Sequence, residues 1–451
     1  MMLLPFQSIL HFDSFNPSRS DPVPEFPYSF RCRRTRSPAL TKAAFKRNVD
    51  NKNDKEKKPN ICTADELHYV HVDKSEWKVA LWRYLPSPQA PTRNHPLMLL
   101  SGVGTNAIAY DLSPEPLAFS FYLMSSSFAR FMSTQGMDFG HNIRPFKHVY
   151  LLSRKDIFEA ERSSPVRAFD MQNSISTALK DMQKQLDLIS KYDWDFDNYL
   201  EEDVPAVMEY IKDKSEPKDG KLLAIGHSMG GILLYAMLSR CGYEGKDPGL
   251  SAVTTLASSL DYMSSRSSLK LLLPLANPAQ VLNVPVIPIG TLLAAAHPFA
   301  ANPPYLLSWL SPQISAPDML QPKLFEKLVT ENFETVPAKL LLQLATAFEE
   351  GGLRDRSGTF FYKNHLSKSN VPVLAIAGDQ DLICPPDAVY VCNDINRAET
   401  VKLIREPLVT YKVFGEPGGP HFAHYDIVGA QRAVDLVYPC IIEFLNHHDA
   451  A

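Results

Sequence analysis

Short apolar runs bounded by Gly, Ser, Asp or Pro alternate with longer segments whose apolar residues recur at three and four positions, from about residue 61 to about residue 448. Alternating or continuous apolar runs predict strands, and the three-four periodicity predicts helices. Two alternating stretches open the series, 67–72 and 78–84, and Asp73-Lys74-Ser75-Glu76 between them predicts a hairpin at a sheet edge. Runs at 96–100, 148–152, 221–225, 252–257, 371–377 and 409–414 predict buried parallel strands, which need no polar face. Helices are predicted over 128–135, 171–192, 200–212, 231–240 and 430–445. Alternation of the two element types implies βαβ units, hence an α/β fold with a mostly parallel sheet flanked by helices.

Two stretches break this pattern. Residues 1–60 carry Pro, Ser, Arg and Asn without hydrophobic periodicity and end in a charged run from Lys46 to Lys58. The apolar start, Met1 to Pro5, is too short for a secretory signal and no basic residue precedes it. Arg31, Arg33, Arg34 and Arg36 in a Ser-rich setting predict an organelle-targeting segment and linker, with a plastid preferred to a mitochondrion. Asp13, Asp21 and Glu25 are more acidic than such segments usually are, and a disordered cytosolic tail is the competing reading. The folded domain is then 61–451. Within it, residues 271–317 contain no Asp, Glu, Lys or Arg. A spanning helix needs about 20 apolar residues, but prolines at 274, 278, 285, 288, 298, 303 and 304 interrupt every window. An apolar cap laid over a site is expected instead, ordinary core helices being the alternative.

Composition narrows the function. The chain has 451 residues, 45% of them hydrophobic and 21% charged, with a formal net charge of -4. That is enough apolar material for a large core and no basic excess for nucleic acid. The six cysteines, at 32, 62, 241, 384, 392 and 440, form no Cys-x-x-Cys and have no His at zinc-ligand spacing. Neither a disulfide scaffold, a metal nor a cofactor is expected.

The chemistry begins at Gly226-His227-Ser228-Met229-Gly230. At ordinary residue frequencies such a Gly-x-Ser-x-Gly pattern arises by chance in roughly one chain in ten of this length. Its context gives it weight: the apolar run 221–225 leads in, and Gly230-Gly231-Ile232-Leu233-Leu234-Tyr235-Ala236-Met237 leads out with helical character. A strand, a sharp turn and a helix expose a serine hydroxyl at the sheet edge, with free backbone N–H groups and the positive helix end beside it. Met229 N–H is the first candidate oxyanion donor. The serine needs a base and an acid, arriving in that fold type in the order Ser, acid, His. Asp381 lies in Gly378-Asp379-Gln380-Asp381, after the predicted strand 371–377, although Asp379 and Asp387 share its loop. His424 follows strand 409–414 and the turn Gly415-Glu416-Pro417-Gly418-Gly419-Pro420; His421 competes with it. The second oxyanion donor is sought in Ser101-Gly102-Val103-Gly104-Thr105-Asn106, with Val103 as the candidate and a plain strand-to-loop exit as the alternative. This loop has no phosphate-binding signature.

Taken together, these residues resemble the α/β-hydrolase superfamily, and within it lipases and esterases related to acid lipases. The resemblance spans about residue 61 to the C-terminus. It rests on Thr63-Ala64-Asp65-Glu66-Leu67 with Trp82-Arg83-Tyr84, Trp194-Asp195-Phe196-Asp197 through Glu202-Asp203-Val204-Pro205-Ala206, the Ser228 turn, Gly378-Asp379-Gln380-Asp381, and His424-Tyr425-Asp426. It implies Ser228 as nucleophile, Asp381 as acid and His424 as base, since His424-Tyr425-Asp426 matches the family's His-x-Asp. It also implies an inserted helical cap at about 260–370. Ser101-Gly102 stands where the family usually has His-Gly, and Ser153-Arg154-Lys155-Asp156 replaces its Arg-Gly-x-Gly turn. The function expected is cleavage of a carboxylic ester, a small-molecule or lipid acyl ester, through an acyl-enzyme, with peripheral membrane contact through the apolar cap. An acyltransferase on the same triad and a catalytically weak, receptor-like binding protein are the alternatives.

Overall fold

The computed structural model describes residues 62–72, 78–86, 93–113, 118–120, 123, 130–134, 192–272, 286–301, 305, 307–390 and 400–449. The segment 1–60, the predicted strand 148–152 and all but Tyr192 of the predicted helix 171–192 lie outside them.

Among the described residues there are ten strands: β1 (Glu66–His71), β2 (Lys78–Tyr84), β3 (Leu97–Leu100), β4 (Arg130–Thr134), β5 (Leu222–His227), β6 (Leu250–Leu256), β7 (Val286–Pro288), β8 (Thr335–Pro337), β9 (Val373–Gly378) and β10 (Val409–Phe414). Eight of them form one sheet in the order β1-β2-β4-β3-β5-β6-β9-β10. The predicted hairpin is there, with β1 antiparallel to β2 from Glu66 opposite Arg83 to His71 opposite Lys78. From β4 onward every neighbouring pair is parallel. In β3, β5 and β9 every residue is buried. This is why those runs read as continuously apolar: helices cover both faces of the central sheet.

One element differs in kind from its expectation. The window 128–135 fits helical spacing, yet Arg130–Thr134 is strand β4, antiparallel to β2 and parallel to β3. A window this short suits either period, and the backbone hydrogen bonds offered by two flanking strands decide the outcome.

The longer helices are α1 (Val204–Ser215), α2 (Met229–Glu244), α3 (Ile289–Ala301), α4 (Pro322–Glu331), α5 (Ala338–Ala345) and α6 (Tyr438–His448). Helix α1 buries Val204, Val207, Met208 and Ile211, one stripe at three-four spacing, and ends where Glu216 turns left-handed at φ 46. A π-turn over Tyr199–Asp203 leads into it. Helix α2 is buried along its length from Met229 to Ser239, and it stops at Gly245, whose φ is 68. The single helix expected over 430–445 is divided instead into Ala433–Leu436 and α6. Pro439 is the reason, because proline fits only the first turn of a helix, and α6 begins around it.

Between β6 and β9 the chain forms α3, α4, α5 and the two-stranded antiparallel ribbon β7–β8. No helix among the described residues is long and apolar enough to cross a membrane.

Candidate active site

Ser228 sits in the turn between β5 and α2 with φ 55 and ψ −122. For a residue with a Cβ this conformation costs on the order of 1–3 kcal/mol and persists only where the surroundings hold it. They do so here. Ser228 N–H donates to the Leu256 carbonyl at 2.9 Å, and its own carbonyl accepts from Gly231 N–H, Ile232 N–H and the Ser258 hydroxyl. The flanking glycines are required sterically: a Cβ on Gly226 would lie 2.4 Å from Gly231 N, and one on Gly230 would lie 2.2 Å from the Leu100 oxygen. Strand and helix thereby approach closely enough to bend the chain at Ser228.

Asp381 and His424 meet at the same edge. His424 Nδ1 donates to Asp381 Oδ2 at 2.8 Å, while Asp381 Oδ1 accepts from the N–H groups of Ile383 and Cys384, both at 2.8 Å. Both side chains are buried. A carboxylate that accepts a hydrogen bond from Nδ1–H holds the proton on that nitrogen and leaves Nε2 as the basic one. His421 has a different partner: its Nδ1 is hydrogen-bonded to Asp379, and its side chain is 38% exposed against 3% for His424. The two acids and the two histidines therefore sort into an outer pair and an inner pair, and the inner one is joined to the turn that carries Ser228. The link is His227, whose ring is 4.8 Å from that of His424 and whose Nε2 donates to the His424 carbonyl at 2.9 Å. Burial first, and then His424, push the His227 pKa down to about 3, so this ring is neutral. The hydrogen bonds among the described residues include none between Ser228 Oγ and the His424 ring; such bonds commonly tighten only with substrate present.

The loop after β3 closes over the serine. A Cβ on Gly102 would stand 3.2 Å from Ser228 Cβ and 3.6 Å from its Oγ. Val103 is the next residue, and Met229, as the first residue of α2, has an N–H with no intrahelical acceptor. Both candidate donors are thus next to residues that touch or carry the hydroxyl. Ser101 Oγ donates to the Thr105 carbonyl at 3.1 Å and Thr105 Oγ1 to the Gly102 carbonyl at 2.9 Å, which braces the loop internally. Beneath it, the Tyr110 hydroxyl donates to the Leu100 carbonyl at 2.8 Å.

A sheet ordered β1-β2-β4-β3-β5-β6-β9-β10 with β2 antiparallel, and a strained serine between its fifth strand and the next helix, decide the architecture. It is the α/β-hydrolase fold. No family model matches the chain, and no curated protein does. Among solved structures, it is similar to a soluble variant of the Saccharomyces cerevisiae monoglyceride lipase at 12% identity and a TM-score of 0.48, covering 86% of this chain and 97% of that one. It is similar also to the Paleococcus ferrophilus monoacylglycerol lipase, at 13% identity and a TM-score of 0.45 over 82% and 99% of the two chains. A thermophilic esterase from Thermogutta terrifontis gives 13% and 0.44 over 85% and 100%. The fold rests on the strand order and the Ser228 turn, not on these likenesses.

Several residues at this α/β-hydrolase edge carried no functional mark in the sequence. Asp426, quoted there only as a motif letter, is buried and accepts from Ser315 Oγ at 2.6 Å and from the N–H groups of Ala316 and Ala423, both at 2.7 Å. It ties the His424 loop to the stretch between β6 and β9. Burial, which those contacts only partly offset, pushes its pKa up to about 6. Asn332 and Glu334 reach the β3 loop from more than two hundred positions away, a separation at which no local pattern gives warning. A cavity of about 540 Å³ lined by Lys221, Lys246, Pro248, Lys368 and Pro372 opens at the other edge, where β5, β6 and β9 begin. Among the described residues no His, Cys, Asp or Glu cluster could hold a metal ion.

Proposed function

We propose that this chain hydrolyses carboxylic esters with Ser228 as nucleophile. The observation that carries the reading is a serine held at positive φ by its backbone contacts, whose preceding residue, His227, packs on the His424 of a buried Asp381–His424 pair. A purely structural turn has no need of that strain. In the reaction, His424 Nε2 takes the Ser228 proton as Oγ attacks the ester carbonyl, and Asp381 stabilises the imidazolium. Met229 and Val103 N–H groups receive the oxyanion. The alcohol departs with the proton from His424, leaving an acyl-enzyme. Water, deprotonated by His424, then releases the acid and restores Ser228.

The substrate class follows from the stretch between β6 and β9, read as a cap over about 260–370. Its 271–317 portion has no charged residue, and Leu292, Phe299, Tyr305 and Trp309 are each more than half exposed. Such a surface suits acyl esters and lipids, and contact with a membrane surface, better than charged substrates. Residues 1–60 are proposed to direct the protein to a plastid, on their Arg and Ser content; a fluorescent fusion of that segment that stays in the cytosol contradicts this.

The test is hydrolysis of p-nitrophenyl esters of rising chain length. Turnover by the wild type with loss of at least about a thousandfold in Ser228→Ala is expected. Equal rates in the two proteins refute the reading. Adding alcohol acceptors separates hydrolysis from acyl transfer, since an acyltransferase yields a new ester in preference to the free acid.

A further inference from the structure

The β3 loop is held from outside by the stretch that joins α4 to β8. Asn106 N–H donates to the Asn332 carbonyl at 3.0 Å and Glu334 N–H to the Gly104 carbonyl at 2.7 Å, which makes Thr105 and Phe333 an antiparallel bridge. The Asn106 amide adds two contacts, Nδ2 to the Glu331 carbonyl at 2.7 Å and to Glu334 Oε1 at 3.1 Å. Gly104, at φ +56, has no room for a side chain, because a Cβ there would meet Val336 Cγ1 at 2.3 Å.

Asn332 is the centre of this joint. It is fully buried. Its Oδ1 accepts from Ala109 N–H at 3.1 Å, its carbonyl from Asn106, and its own N–H caps α4 by donating to the Leu328 carbonyl at 3.2 Å. Its side-chain amide faces the Tyr425 hydroxyl. Tyr425 follows His424 and packs on it, with ring centroids 5.4 Å apart, and on Phe333 at 5.7 Å. One side chain therefore touches the loop over the nucleophile and the residue beside the base.

We propose that Asn332 is a positioning residue, which fixes the β3 loop against Ser228 by accepting from Ala109 and Asn106 and by bearing on Tyr425. The proposal rests on the ester-hydrolase reading above. It makes the alignment of the Val103 donor depend on a residue of the stretch between β6 and β9, so that movement of that stretch changes turnover more than affinity. Oxyanion donors act in the transition state, and a displacement of about 1 Å can cost on the order of a hundredfold.

The experiment compares Asn332→Ala, which removes the Ala109 acceptor, with Asn332→Asp, which keeps it. Steady-state kinetics on a short p-nitrophenyl ester are combined with amide hydrogen exchange over residues 103–109. Expected for Asn332→Ala are a kcat lower by at least about tenfold, a KM within about twofold of wild type and faster exchange at Ala109, with Asn332→Asp recovering most of both losses. Asn106→Ala, which cuts the joint from the loop side, is expected to give the same kcat–KM split should Asn332→Ala not fold. Unchanged kcat, KM rising in step with the loss, or unchanged exchange at Ala109 overturns the proposal. If the wild type cleaves no ester but exchange at Ala109 still rises in Asn332→Ala, the ester-hydrolase reading fails and the positioning contact stands.

Discussion

Two carboxyl–imidazole pairs lie within a few residues of each other, and the assignment of roles turns on which one the reaction uses. His424 is buried on Asp381, and His421 faces outward on Asp379. His424→Ala is expected to lower kcat/KM for an ester by at least about a thousandfold, and His421→Ala by less than about threefold. Comparable losses in both would reverse the assignment. A second residue-scale prediction concerns Glu334. Burial raises its pKa to about 7, against an ordinary 4.5, and the Asn106 contact offsets this only in part. An acid whose folded pKa is raised binds more protons folded than unfolded, so stability falls as pH climbs from about 4.5 to about 7 and then levels. Glu334→Gln removes that slope. Its melting temperature relative to wild type should rise across this window and hold constant above it; a difference independent of pH would contradict the burial argument.

At the scale of elements, the β5–turn–α2 unit leaves no space at Gly230, where a Cβ would lie 2.2 Å from the Leu100 oxygen of β3. Gly230→Ala should therefore destabilise by about 1–3 kcal/mol or more, read as a lower denaturation midpoint. A variant as stable as wild type would show that β3 and α2 are not packed this closely. This unit was legible in the sequence because everything that makes it is local: an apolar run, two spaced glycines and a helical run. The same holds for β2 and β10, whose bounds, Lys78–Tyr84 and Val409–Phe414, match the alternation and the apolar run. Legibility failed where the decision lay elsewhere in the chain. Arg130–Thr134 became a strand because β2 and β3 stand ready to pair with it. Asp381 and His424 could be named from chain order, and the His424-Tyr425-Asp426 resemblance set His424 above His421, but the contacts that separate the two histidines, with Asp379 and with His227, are visible only in the fold. Asn332 and Glu334 gave no signal, since their partner Asn106 is brought to them only by the folding of the whole sheet.

For the molecule as a whole, the proposed function joins the uncharged stretch and the active edge in one account, in which apolar esters reach Ser228 past an apolar surface. Replacing Leu292, Phe299 and Trp309, all exposed, with Ser should reduce sedimentation with phosphatidylcholine vesicles while hydrolysis of a soluble short-chain ester stays within about twofold of wild type. Equal vesicle binding by the two proteins would remove the membrane contact and leave the hydrolase reading intact. The central claim is that Ser228 is an activated nucleophile, and labelling with a fluorophosphonate probe tests it most directly. One adduct is predicted, on the peptide containing Ser228, blocked by prior heat denaturation and lost in Ser228→Ala and in His424→Ala. Native protein that takes up no label, or labels equally without Ser228, would contradict the account.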